Sequence, residues 1–117
     1  MVLFVGDKPS SKNTDPNVPF IGTPSHKVLM KWADTLGCSN FLLCNSFSEY
    51  DKVCIRNSME KANKVIALGL LASERLKKMG IHHHLMPHPS PLNRKLNNPE
   101  YVNNMLKEAA EYINGSR

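Results

Sequence analysis

Three side chains of this 117-residue sequence could act together on a substrate: the Asp7 carboxylate, the Asn45 amide and the His88 imidazole. A carboxylate orients water or stabilises a developing cation. An amide donates and accepts at once, and a neutral imidazole donates to oxygen that is gaining negative charge. His88 opens the stretch His88-Pro89-Ser90-Pro91-Leu92, in which two prolines fix φ and push the residues before them towards extended conformations. The stretch therefore reads as a stiff, projecting loop with an imidazole at its base, a hydroxyl in the middle and an apolar side chain near its tip. Leu92 stands just before the cations Arg94 and Lys95, and two fates fit it. It is a wedge for stacked bases, or it folds back into the core.

The elements around these residues read as alternating strands and helices. Val2-Leu3-Phe4-Val5 is a continuous apolar run, as in a parallel strand buried on both faces, and a long polar loop follows Gly6. A helix with Thr23 or Ser25 as N-cap carries Val28, Leu29, Trp32, Ala33 and Leu36 on one face and stops at Gly37. Phe41-Leu42-Leu43-Cys44 is the second strand, followed by a helix over about Val53 to Ala62. Val65 to Leu68 is the third strand, Leu70 to Met79 a helix, and Ile81 to Met86 the fourth strand. Asn98 or Asn97 caps a last helix that has Pro99 at its first position. Val102, Met105, Leu106, Ala109 and Ile113 form the buried stripe of that helix. The alternation predicts an α/β fold, a three-layer α/β/α domain over 1–117 with a central, mainly parallel four-stranded sheet. Asp7, Asn45 and His88 then meet at one sheet edge, where open α/β sheets bind their ligands.

Composition narrows the partners. Hydrophobic residues make up 41% and charged residues 21%, the balance of a globular domain, and no apolar run reaches the length of a membrane span. Met1 leads straight into apolar sequence without a basic segment, so no signal peptide is expected. A formal charge of +5 favours an anionic partner. The three cysteines, irregularly spaced, argue against a disulfide framework and for a reducing compartment, cytoplasmic or nuclear. His82-His83-His84 suggests a metal, but successive residues of a strand point to opposite faces, so the three cannot all converge on one ion. His82, His84 and His88 could share a side, yet no acidic or thiol ligand stands near them in sequence. No metal or other cofactor is expected.

Four segments, in order, resemble the motifs of the uracil-DNA glycosylase superfamily. Gly6-Asp7-Lys8-Pro9-Ser10 resembles the first motif, and Pro19-Phe20-Ile21-Gly22 the aromatic segment that stacks on an extruded base. Leu42-Leu43-Cys44-Asn45 resembles the strand that ends in the base-reading asparagine. His88-Pro89-Ser90-Pro91-Leu92 is similar to the final motif of that family's best-known branch. The resemblance is to a compact, divergent member acting as a monomer on uracil-containing DNA, single- or double-stranded.

It implies hydrolysis of the N-glycosidic bond of uracil, or of a related modified pyrimidine, after base flipping. Asp7 and His88 would be catalytic, and Phe20 and Asn45 would hold the base. Lys8, Ser10, Ser90, Pro91, Leu92, Arg94 and Lys95 would contact DNA, with Leu92 filling the gap. Lys8 stands where the best-known members place aspartate or asparagine, whereas the iron–sulfur branch carries glutamate directly after the glycine, at the position of Asp7. That branch needs more cysteines than this chain has, so no cluster is expected. The same departure leaves open a DNA-binding module or interaction protein of this fold without turnover.

Overall fold

The computed structural model describes residues 1–6, 24–38, 41–46, 48–89 and 94–114. Its strands are β1 (Val2–Val5), β2 (Phe41–Cys44), β3 (Lys64–Leu68) and β4 (His84–Met86). Its helices are α1 (Pro24–Thr35), α2 (Glu49–Ser58), α3 (Leu70–Lys78) and α4 (Pro99–Asn114), with a 3₁₀ turn at Arg94–Asn97. The strands form one all-parallel sheet in the order β2-β1-β3-β4.

The two sheet faces separate cleanly because side chains alternate along each strand. Val2, Phe4, Ile66, Leu68 and Met86 pack with Leu29, Trp32 and Ala33 of α1 and Met105 and Ala109 of α4. Leu3, Val5, Cys44, Val65 and Ala67 pack on the other face with Ile55 of α2 and Ala72 and Leu76 of α3. The architecture is therefore three-layer α/β/α, with α1 and α4 on one side and α2 and α3 on the other. This arrangement follows from right-handed crossovers: β1 to β2 runs one way across the sheet, and β2 to β3 to β4 runs back. The reversal puts a topological switch point between the carboxyl ends of β1 and β3.

Two elements differ from the sequence reading. The second helix spans Glu49–Ser58 rather than about 53–62, because a capping box fixes its start. Ser48 Oγ accepts from Asp51 N–H at 3.1 Å, and Asp51 Oδ2 accepts from Ser48 N–H at 2.9 Å. The chain then turns over residues 59–61, and Ala62 is buried just past that turn. The fourth strand is shorter than Ile81 to Met86, since its register pairs only Ile66, Ala67 and Leu68 with His84, Leu85 and Met86. At the last helix, Asn98 is the cap: its Oδ1 accepts from Glu100 N–H at 3.0 Å and Tyr101 N–H at 3.3 Å. Among the described residues no helix is long and apolar enough to cross a membrane.

Ser48→Ala removes the acceptor for Asp51 N–H while keeping the backbone N–H that donates to Asp51 Oδ2, so half of the capping box is lost. The expected loss is about 0.5–2 kcal/mol of unfolding free energy, measured by denaturant titration at unchanged slope. An unchanged midpoint would mean that the box does not hold the helix start.

Candidate functional site

Parallel pairing brings the carboxyl ends of all four strands to one edge, and Gly6, Asn45, Gly69 and Pro87-His88 follow those ends directly. Gly6 N–H donates to Cys44 C=O at 2.8 Å, extending the ladder by one residue past β1. Ser46 Oγ donates to Gly6 C=O at 2.6 Å and accepts from Arg75 of α3 at 3.4 Å. These bonds tie the exit of β2 to the exit of β1. Ser46 and Arg75 were not singled out in the sequence, where an isolated serine after a strand carries no distinguishing signal.

Asn45 is only 3% exposed, and its Oδ1 has no hydrogen-bond partner among the described residues. An unsatisfied buried carbonyl costs about 1–3 kcal/mol, which makes this oxygen an exception among buried polar groups. The amide stands at the end of an outer strand, next to the switch point, with its backbone held by the Ser46 and Gly6 contacts on either side.

His88 lies at the end of the opposite outer strand, half-buried. Pro89 beside it is fully buried, so the chain is anchored in the fold one residue past His88. Gly69 N–H donates to Met86 C=O at 2.8 Å, which holds the exits of β3 and β4 together. Gly69 has φ +99°, and a Cβ placed there would meet His88 Cβ at 3.5 Å, an ordinary contact. The backbone angle, rather than lack of space, is what requires glycine at this position.

His88 also lines a cleft of about 650 Å³ between the start of α3, the end of β4 and α4. Leu70, Leu71 and Leu85 give it an apolar, exposed margin, and Lys95 and Glu108 also line it. Arg94 and Lys95 sit on the exposed 3₁₀ turn that leads into α4. The ends of β2 and β4, which Asn45 and His88 follow, stand three inter-strand spacings apart, roughly 14 Å. Asn45 is not among the residues that line the His88 cleft. Asp7, Lys8, Ser10, Phe20, Ser90, Pro91 and Leu92 lie outside the described residues.

The three consecutive histidines, of which only His84 belongs to β4, turn to two sides. The rings of His82 and His84 both approach Tyr112 of α4, His84 stacked at 5.1 Å and 20° and His82 tilted at 6.3 Å. Lys64 Nζ lies 4.9 Å over the same tyrosine ring. His83 turns the other way. Its Nδ1 lies 2.9 Å from Ile81 C=O and its Nε2 2.7 Å from Ser73 Oγ. A carbonyl can only accept, so Nδ1 carries the proton and the serine hydroxyl donates to Nε2 in the neutral ring. This pair has the spacing of a nucleophile and base, but Ser73 is buried under α3 at 3% exposure and no substrate reaches it. Among the described residues no three metal-ligating groups gather.

Two predictions follow from these environments. Asn45→Leu replaces the orphaned amide with an apolar side chain of similar size, so stability stays equal or rises by about 1 kcal/mol in denaturant titration. A fall of that size would mean that Oδ1 is satisfied in the folded protein. His84 is held below its ordinary value of 6.5 mainly by burial and also by His83, while Glu108 opposes the shift. The unfolded chain then takes up a proton at a pH where the folded one does not. The His84 contribution is complete above about pH 6.5 and is lost as the pH falls towards the folded value. Thermal melts between about pH 7.5 and 5 should show this decline, and it should be shallower in His84→Gln.

Compared with protein-family models, with curated proteins and with solved structures, the chain finds no match in any of the three.

Proposed function

We propose that the protein is a DNA glycosylase that hydrolyses the N-glycosidic bond of uracil, or of a related modified pyrimidine, after flipping the base out of the strand. The observation that carries this reading is the buried Asn45 amide with an unpartnered Oδ1 at the ligand-binding edge of a parallel sheet. Oδ1 accepts from the N–H of a pyrimidine while Nδ2 donates to the carbonyl beside it. Asn45 and His88 follow the two outer strands of the same sheet edge, one on each side of it.

In this reading His88, as a neutral donor, stabilises the negative charge that the departing base collects on its carbonyl oxygen. Asp7 orients the attacking water or stabilises the sugar cation, and Phe20 stacks on the base. Leu92 occupies the space the base has left. Arg94 and Lys95, exposed on the 3₁₀ turn, contact phosphates, joined by Lys8, Ser10, Ser90 and Pro91. The formal charge of +5 suits this partner, and binding should weaken steeply with salt. Lys8, in the place of the best-known water-handling residue, favours a second reading in which the pocket and the DNA-facing loop are kept without turnover.

The test is an alkali-developed cleavage assay on labelled single- and double-stranded oligonucleotides carrying one uracil. Cleavage at uracil is expected, with His88→Ala slower by about 10²–10³-fold, the usual loss for one oxyanion donor, and Asp7→Asn also impaired. Asn45→Asp should change base preference while general DNA affinity barely moves. Salt-sensitive DNA binding without cleavage would select the second reading. Neither binding nor cleavage would overturn both.

A further inference from the structure

Cys44, the last residue of β2, and Cys54 of α2 hold their sulfurs 3.3 Å apart, and both are free thiols. That is closer than an ordinary contact between two sulfurs. A displacement of roughly 1.3 Å would bring them to the bond length of about 2.05 Å. We propose that Cys44 and Cys54 form a reversible dithiol–disulfide pair, closed by a small-molecule disulfide such as oxidised glutathione and reopened by thiols. This goes beyond the glycosylase reading and does not depend on it.

The two thiols differ in access, which sets the order of events. Cys54 is half-buried and lines an open cleft of about 240 Å³ that also includes Ser58 and Lys61. It is the sulfur that an incoming oxidant meets, and Lys61 attracts the carboxylates of glutathione. Cys44 is 2% exposed, and burial pushes its thiol up to about 12. It stays protonated and unreactive towards bulk reagents. The Cys54 thiolate, its proton lost to solvent, attacks one sulfur of oxidised glutathione, and one glutathione thiolate leaves. Cys44 then passes its proton through solvent to the glutathione thiolate already released, with Ser58 Oγ at 3.5 Å donating to the developing sulfur charge, and attacks Cys54 Sγ. The second glutathione thiolate leaves. Two electrons have passed from the two cysteines to glutathione, which is recovered as two thiols.

Cys38 stays outside the pair, since it packs against the core on the α1–α4 face of the sheet. Closure acts on the strand end that carries Asn45, because Cys44 precedes it and accepts the Gly6 N–H at 2.8 Å.

The full chain is incubated in graded mixtures of oxidised and reduced glutathione, quenched with acid and mapped by non-reducing peptide mass spectrometry. The expected product is a monomer with a Cys44–Cys54 crosslink, Cys38 unmodified and full reversal by dithiothreitol. In Cys54→Ser, oxidation of Cys44 should fall about tenfold or more, because no accessible thiol relays the reaction. Circular dichroism checks that this variant, changed at a half-exposed position, remains folded. The Asn45 side-chain amide resonances should move on oxidation of the wild type and stay in place for treated Cys54→Ser. A stable glutathione adduct on Cys54 that never passes to Cys44 would overturn the pairing, as would oxidation that joins molecules through Cys38. A crosslink that leaves the Asn45 resonances unmoved would overturn the coupling to the strand end.

Discussion

Parallel pairing of β1 on both of its edges is the constraint on which the rest of the molecule depends. Val2 to Val5 are almost wholly buried, and each is matched in register to β2 on one side and β3 on the other. Because every strand runs the same way, the backbone groups left over at the carboxyl ends all face one rim. The helices cannot cover that rim, since they are committed to the two faces. Polar side chains gathered there are consequences of strand direction, and no separate device is needed to assemble them.

The rim itself combines fixed and unspent hydrogen-bonding capacity. Ser46 uses its hydroxyl on Gly6 and Arg75, and Gly69 uses its N–H on Met86, so neighbouring strand exits are tied in pairs. Asn45, between such ties, keeps a buried carbonyl without a partner among the described residues. Within an otherwise satisfied network, one orphaned buried carbonyl is the costly exception. On the other side of the rim, Pro89 is fully buried next to His88.

Much of this was readable from the sequence because the signals were strong and local. Apolar runs bounded by glycine marked the strands, and Asn98 before Pro99 marked the start of α4. The position of Asn45 and His88 on one edge followed from the strand–helix alternation alone. The errors arose where tertiary context decides. The capping box of Ser48 and Asp51 outweighed a weakly periodic stretch further on, and the length of β4 was set by its partner's register rather than its own composition. The pairing of Cys44 with Cys54 depends on how α2 packs on β2, which no spacing encodes. The cleft beside His88 was equally hidden, since it is made by leucines that a helical pattern assigns no special place.

The central position of β1 also has a kinetic consequence. Its partners begin at residues 41 and 64, so neither edge of the strand can be satisfied by nearby sequence. Contacts of such separation pay their loop-closure entropy before any pairing rewards it, which slows folding relative to domains of similar size built from local contacts. Until β3 is available, the most apolar segment of the chain is an unpaired strand able to join other chains. Its safe burial therefore depends on synthesis having passed residue 68, and the nascent chain is most vulnerable to aggregation before that point.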